Sequence, residues 1–427
     1  MKKKNENIAS DQNTIKEDTS RRDFIKRATI AAMGVGLGGI QELNASEDTA
    51  AKAKTTSKKA PVKYLYHDSH VHLTNYVQTG TDIHDYLKIM GDKVGRSTLF
   101  GLPLQQKWTY LNSADRAPTY YLHSDAHLYY YSFNDAMIAH EYNKLTEEQK
   151  ERFDPMITGF NPTDMYAVEH IKRVLRMYPN TFVGIGEFSI HKEFVSAKIT
   201  GEVASLENKA LDHIMDFAAE SGLVTLLHCD IDVPFGEKSP KPAYARQMYK
   251  LLKRHKDATI IWAHMGLGRI VHPHIRNSKN IEGERNPGHL EIIEYALKDK
   301  ELSNLYYDIS WDQVAKYIIA SPESLQRTAD LINKYPDRFL FGTDNVAPKA
   351  ETYYNIYEMY QPLWDILTEE ARHKILIGNY ERLYDKAKAD VAAWEKKDRD
   401  SGKKLLGANE ISEQYVLPHH HHAMMDV

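Results

Sequence analysis

In the run Tyr66-His67-Asp68-Ser69-His70-Val71-His72-Leu73, a single residue separates His70 from His72. In an extended strand the side chains alternate between faces, so Asp68, His70 and His72 are predicted to point the same way. Two imidazoles on one strand face can bind one metal ion, and a nearby aspartate can fix their tautomers through the second ring nitrogen. Two polar residues at a strand end are the alternative, and the rest of the chain decides between the two.

Five later segments have the pattern of short apolar strands, and each leads to a residue that can bind a metal ion. In chain order they are residues 182–186 before Glu187, 223–227 before His228, 259–263 before His264, 305–307 before Asp308 and 339–343 before Asp344. A (β/α)8 barrel uses roughly 30 residues for each strand and helix before insertions, and its catalytic groups lie at the C-terminal strand ends. The pattern therefore predicts a metal site at that end of a barrel.

Three earlier segments, residues 63–72, 97–102 and 155–160, complete a count of eight strands. Apolar residues with helical spacing are predicted to form helices over residues 163–178, 201–220, 243–256, 288–298, 322–335, 351–367 and 380–397. Asp164 and Ser321 are the predicted N-caps of two of these helices. The alternation of strands and helices predicts an α/β fold, a (β/α)8 TIM-like barrel over residues 62–397.

Residues 103–154, after the second strand, form an insertion that contains seven tyrosines. Connections of this length are usually functional or carry structure of their own. The insertion follows the C-terminal end of a strand, so we expect it on the active-site side of the barrel. A lid with aromatic substrate contacts and a simple cover for the barrel mouth both agree with this composition.

The overall composition is that of an ordinary globular protein. Of 427 residues, 42% are hydrophobic and 27% are charged, and the net charge is −4. Neither sign of charge dominates, so the overall charge gives no indication of nucleic-acid binding. Cys229 is the only cysteine, which excludes an intrachain disulfide. Residues 398–427, with four histidines at 419–422, are predicted to be a C-terminal tail.

The N-terminus has the features of an export signal. Ser20-Arg21-Arg22-Asp23-Phe24-Ile25-Lys26 precedes an apolar run over residues 28–40, which is too short to cross a bilayer as a mature helix. This order resembles the twin-arginine export signal. Residues 1–45 are therefore predicted to be a signal peptide and residues 46–61 a flexible linker. The resemblance implies the twin-arginine export machinery as a partner, a periplasmic location, and a mature chain that does not span the membrane.

Six motifs in order resemble the amidohydrolase superfamily, in its amidohydrolase-2 branch, over residues 64–394. They are Asp68-Ser69-His70-Val71-His72, Gly184-Ile185-Gly186-Glu187, Leu227-His228, Ala263-His264-Met265-Gly266, Phe341-Gly342-Thr343-Asp344 and Gly378-Asn379-Tyr380-Glu381-Arg382-Leu383-Tyr384. The resemblance is specific for the fold and for metal chemistry, and weak for the substrate.

The resemblance also implies a set of metal ligands. One ion would be bound by His70, His72 and Asp344, a second by His228 and His264, and Glu187 would bridge the two, as in TatD-like hydrolases. A bridging Glu187 on the fourth strand implies two ions, whereas mononuclear relatives, which bind one ion, place no ligand on that strand. One or two divalent ions per chain are therefore expected. Mixed imidazole and carboxylate ligation suits zinc, manganese or iron better than calcium.

The expected activity is hydrolysis of an ester, lactone, amide or phosphoester bond in a small substrate, by water that a metal ion has activated. Asp344 would be the catalytic proton acceptor, with ligation alone as the alternative. Arg269, His191, Lys192 and Asp308 are predicted to line the site and bind substrate, with a structural salt bridge as the alternative for Arg269. A metal-dependent decarboxylase of a small unsaturated acid and a non-catalytic metal- or ligand-binding barrel are the other two interpretations.

Overall fold

Eight parallel strands form one sheet, and their order in the sheet follows their order in the chain. We number them β1 (Tyr66–Asp68), β2 (Val94–Leu99), β3 (Phe153–Ile157), β4 (Gly184–Ser189), β5 (Val224–His228), β6 (Ile260–Trp262), β7 (Leu305–Asp308) and β8 (Phe339–Leu340). Sequential parallel strands require crossover connections, and helices supply them. The predicted α/β class is confirmed.

The computed structural model describes residues 63–75, 78–102, 104–105, 107–108, 122–123, 129–130, 133–192, 205–231, 242–268, 288–403 and 405. The predicted signal peptide and linker lie outside these residues, and so do most of the tyrosines of the insertion and most of the tail. Among the described residues, no helix has both the length and the apolar character needed to cross a membrane.

Contacts between the segments that follow β1 and β8 bring the edges of the sheet together. Beyond β1, the backbone N–H of Ser69 donates to the carbonyl of Phe341, with 3.1 Å between the nitrogen and the oxygen. A short strand, Val71–His72, then pairs in parallel with a second short strand, Asn345–Val346. The curled parallel sheet is consistent with a TIM-barrel fold.

Helices cover the sheet and connect its strands. Their bounds are Ile83–Met90, Phe133–Asn143, Glu147–Lys150, Ala167–Met177, Lys209–Ser221, Ala243–Arg254, His289–Lys298, Asp312–Ile318, Pro322–Lys334, Asn355–Met359, Gln361–Trp364, Glu369–His373 and Asn379–Asp400. Three 3₁₀ turns, Ala263–Gly266, Lys300–Leu302 and Pro336–Arg338, and a π-helical turn, Lys374–Gly378, complete the helical structure of the described residues.

Helix boundaries differ from the predictions where local hydrogen bonds compete. Ser321 caps its helix as predicted, because its side chain accepts from the backbone N–H of Ser324. The prediction that Asp164 caps a helix is wrong. Its side chain accepts from the N–H of Tyr166 in a preceding turn, and the helix begins at Ala167. The helix predicted over residues 351–367 is two short helices, the second of which has Pro362 near its start.

Alternation along the strands separates two buried layers. In β5, Val224 and Leu226 pack in one apolar cluster with Tyr380 and Tyr384 of the last helix, whereas Leu227 packs in the other. His228 follows Val224 and Leu226 at two-residue spacing, so its side chain lies on the same face, at the C-terminal end of the strand. This spacing places a polar side chain at the end of an otherwise apolar interior.

The described part of the segment between β2 and β3 contains four two-residue strands and two helices. Helix Phe133–Asn143 lies at the C-terminal end of β3, because the carboxylate of Asp135 accepts from the backbone N–H groups of Thr158 and Gly159. This agrees with the expected side of the barrel. The Tyr-rich character and role of the insertion stay predictions, since most of its tyrosines lie outside the described residues.

Candidate metal centre

His70, His72 and Asp344 form the first ligand group. The Nε2 atoms of both histidines lie 3.3 Å from Oδ1 of Asp344. The histidines follow β1 and the aspartate follows β8, and the backbone N–H of Asp344 donates to the carbonyl of His70 at 2.8 Å. The ligand atoms of the three side chains lie within 4.8 Å of one another, so they can hold one ion.

Glu187, within β4, lies between two pairs of histidines. Its Oε2 is 3.2 Å from Nε2 of His72 and 3.7 Å from Nε2 of His70. Its Oε1 is 2.7 Å from Nδ1 of His228 and 3.5 Å from Nε2 of His264. Glu187, His228 and His264 form the second ligand group. Each carboxylate oxygen therefore faces one pair of imidazoles, an arrangement in which one side chain can bridge two ions.

Asp308 and Ser310 contact the outer nitrogens of two candidate ligands, His70 and His264. Oδ2 of Asp308 lies 2.8 Å from Nδ1 of His70, and Oδ1 accepts from the backbone N–H of His264 at 2.7 Å. The hydroxyl of Ser310 donates to Oδ1 of Asp308 at 2.7 Å and lies 2.9 Å from Nδ1 of His264. Both imidazoles consequently present Nε2 to the centre. Ser310 is a site residue that the sequence analysis missed.

Asp68 does not hold the rings of His70 and His72, which corrects the expectation from strand alternation. Its carboxylate accepts from the backbone N–H and the hydroxyl of Thr343, at 2.8 and 2.7 Å, and from the hydroxyl of Tyr353 at 2.9 Å. The expectation fails because β1 ends at Asp68, so regular alternation does not extend to either histidine. Asp68 instead ties β1 to the segment after β8.

His228 is oriented by Asp230, a second residue that the sequence analysis missed. Nε2 of His228 lies 3.0 Å from Oδ1 of Asp230, which leaves Nδ1 directed at Glu187. The two residues are separated by one position, a spacing that places side chains on one face of an extended segment. The run His228-Cys229-Asp230 therefore contained the signal.

Backbone strain marks the ends of these strands. His191, His264 and Asp344 adopt φ angles of 56°, 56° and 54°, a left-handed conformation that is rare for residues other than glycine. Gly186, next to Glu187, has a φ of 124°, and a Cβ there would lie 2.1 Å from the carbonyl oxygen of Leu226. Only glycine fits that position. Such strain is concentrated at functional sites, where the surrounding structure holds it.

Opposing charges set the protonation of the site. Burial alone would lower the pKa of His70, but the carboxylates of Asp308 and Asp344 outweigh it and raise that pKa well above its usual value. Burial would raise the pKa values of Asp344 and Glu187. His70 holds the pKa of Asp344 below its usual range, and Lys192 does the same for Glu187. Both carboxylates are ionised at neutral pH, the form that binds metal ions.

The donor atoms fit a divalent transition metal. Nε2 of His70 is buried and makes no hydrogen bond. A buried polar atom of this kind needs a partner, and the neighbouring ligands identify a metal ion as a suitable one. Imidazole nitrogens combined with carboxylate oxygens suit zinc, manganese or iron. The residues present can hold one or two such ions.

The four predicted substrate-binding residues have different positions. Lys192 lies at the centre, with Nζ 3.8 Å from Oε1 of Glu187. His191 is buried, stacks on the ring of Tyr244 at 3.7 Å, and its pKa is lowered by burial to about 4. Asp308 is fully buried behind His70, which favours a positioning role over the predicted substrate contact. Arg269 lies outside the described residues.

Several solved structures are similar to the chain at low sequence identity. No curated protein matches the chain. An uncharacterised TIM-barrel protein from Bordetella bronchiseptica is 15% identical, with 75% of this chain and 99% of that chain covered and a TM-score of 0.44. A 2,6-dihydroxybenzoate decarboxylase from Rhizobium has the same identity and TM-score, with 76% and 99% covered. For 4-oxalomesaconate hydratase from Rhodopseudomonas palustris, also 15% identical with a TM-score of 0.44, the coverage is 78% and 99%.

The family is shown by the sequence and not by these structural similarities. The sequence model of the amidohydrolase family matches residues 67–386, which extend from β1 into the last helix. All six predicted metal ligands lie inside this range. The chain therefore belongs to the amidohydrolase family.

Proposed function

We propose that the protein is a metal-dependent hydrolase that acts on an ester, lactone, amide or phosphoester bond in a small substrate. The observation that carries the proposal is the position of Glu187, whose two oxygens face the two pairs of histidines at 2.7 to 3.7 Å. The first and second ligand groups would each hold one ion. Divalent ions in such a centre would lower the pKa of water, so that hydroxide is available as a nucleophile at neutral pH.

Asp344 is the proton acceptor in this proposal. Its side chain is 15% exposed, whereas those of His70 and Glu187 are 0% and 3% exposed. Water and substrate can therefore reach Asp344 more easily than the ligands behind it. Because its pKa is held low, Asp344 is ionised at neutral pH, the form that can accept a proton from the attacking water. It can then deliver that proton to the leaving group.

Asp308, Ser310 and Asp230 are positioning residues. Each contacts the outer nitrogen of a ligand histidine and fixes which nitrogen faces the centre. Partners of this kind also make the ligand more basic. The reacting groups are thus held in place by side chains that do not contact substrate.

Metal content tests the proposal directly. Protein purified without chelator should contain zinc, manganese or iron, and Glu187→Gln should lower the content toward one ion per chain. Glu395→Gln is the matched control, because Glu395 is also a buried carboxylate but lies on the last helix. Unchanged content in Glu187→Gln would remove Glu187 from the ligands, and a fully active metal-free protein would refute the proposal.

A screen of esters, lactones, amides and phosphoesters, with and without chelator, tests the reaction class. Chelator-sensitive hydrolysis supports the proposal. Chelator-sensitive release of carbon dioxide from small unsaturated acids, without hydrolysis, would favour the decarboxylase. Bound metal with neither reaction would favour a non-catalytic barrel.

We also propose, from the sequence alone, export through the twin-arginine pathway to the periplasm, and binding of a small anionic or partly aromatic substrate. The second proposal includes a substrate contact by Arg269. If Arg269 binds an anion, Arg269→Ala should raise the Michaelis constant for anionic substrates by roughly 10- to 100-fold and affect neutral analogues much less.

A further inference from the structure

The two ligand groups differ in the number of protein atoms that they offer one ion. The first group combines two imidazoles and the carboxylate of Asp344, and Oε2 of Glu187 lies 3.2 Å from one of the imidazoles. The second group has two imidazoles and only Oε1 of Glu187. Four donors with two negative charges bind a dication more strongly than three donors with one. The two positions are therefore unequal.

A lysine adds to this inequality. Nζ of Lys192 lies 3.8 Å from Oε1 of Glu187, the same oxygen that faces His228 and His264. The Lys192 side chain is 15% exposed, so water screens its charge less than it would at the surface. A lysine carries a positive charge at neutral pH. The ammonium therefore neutralises the one carboxylate oxygen on which a second ion depends.

The backbone before Lys192 is held in place. His191 stacks on the ring of Tyr244, and its Nε2 lies 3.2 Å from the side-chain oxygen of Gln247. The carbonyl of His191 accepts from the backbone N–H of Asp230 at 3.1 Å. Lys192 thus extends from an anchored residue, which keeps its ammonium close to the second ligand group.

We propose that Lys192 and a second divalent ion compete for Oε1 of Glu187. The protein then holds one ion tightly in the first ligand group, and it takes up a second ion only at higher metal concentration, when Lys192 moves away. With one ion bound, the ammonium of Lys192 is a second positive charge beside the centre. This inference rests on the proposed metal-dependent function and assigns a regulatory role to Lys192.

Calorimetric titration of the metal-stripped full chain with zinc tests the competition, independently of activity. Wild type should show two classes of site, with the second at least about 10-fold weaker than the first. Lys192→Met keeps the side-chain length and removes the charge. This variant should bind the second ion about 10- to 100-fold more tightly and the first ion nearly as in wild type.

Lys172→Met is the matched control, because Lys172 is comparably buried, at 22% exposure, but pairs with Glu169 on an outer helix. Its two affinities should equal those of wild type. Two equal sites in wild type, or a second site that Lys192→Met leaves unchanged or weakens, would overturn the competition while leaving the metal-dependent function intact. Failure of wild type to bind zinc, manganese or iron would overturn both.

Discussion

Replacing Asp308 by asparagine should weaken metal binding without removing any metal ligand. The two oxygens of Asp308 both accept: Oδ2 lies 2.8 Å from Nδ1 of His70, and Oδ1 accepts from the N–H of His264 and the hydroxyl of Ser310. Asparagine has only one oxygen, so one of these sets of contacts must be lost. The variant therefore separates orientation of the ligands from ligation itself.

Each orientation of the new amide has a specific cost. If its NH₂ group faces His264, two donors meet and a buried N–H is left unpaired. If its NH₂ group faces His70, Nδ1 must become the acceptor, and the proton moves to Nε2, the nitrogen that binds the ion. Loss of such outer contacts typically weakens metal affinity by about 10- to 100-fold, or about 1.4 to 2.8 kcal/mol.

Competition against a chromophoric chelator measures this affinity, and circular dichroism shows whether the variant is folded. Asp312→Asn is the control, because Asp312 begins the next helix and contacts Gln313 and Lys316, which are not ligands. A folded Asp308→Asn variant with wild-type metal affinity would refute the positioning role.

Two further predictions concern stability and export. Asp154 is fully buried, and although burial would raise its pKa, Arg96 and Lys388 hold it below the usual value. Asp154→Asn should therefore lower the free energy of unfolding by about 3–5 kcal/mol at neutral pH. This difference should shrink as the pH falls from about 4 through the lower folded-state pKa, and a pH-independent difference in urea unfolding would contradict it. Changing Arg21 and Arg22 to lysine should leave unprocessed precursor in the cytoplasm, and immunoblots showing normal export would reject the signal.

The sequence predicted that the candidate ligands would lie together, because the C-terminal ends of parallel strands meet at one edge of the sheet, whatever connects them. It located the strands less accurately than the ligands. Glu187, for example, lies inside β4 and not after its end. A residue whose strand boundary is misplaced by a few positions still lies near the C-terminal end of the barrel. The predicted location of the site is therefore unaffected by such an error.

The residues behind the ligands were harder to predict. Asp308 contacts His70 across 238 positions, and no local pattern shows which distant side chain reaches a ring nitrogen. Strand alternation predicted that Asp68 faces the histidines, but β1 ends at Asp68, and its carboxylate contacts Thr343 and Tyr353 instead. By contrast, Ser310 and Asp230 each follow a site residue by two positions, a local signal that alternation could have supplied.

The hydrogen bonds that join the segments after β1 and β8 have a consequence for unfolding. An ion shared by His70, His72 and Asp344 would act as a clasp on this seam, tying together the first and last strands of the sheet. In the metal-free chain these two segments should separate before the rest of the sheet. Their backbone amides should then exchange hydrogen faster than those of the other strands. At a metal concentration 100 times the dissociation constant, the clasp would add about 2.7 kcal/mol to the free energy of unfolding. Resistance to proteases would then report metal loading.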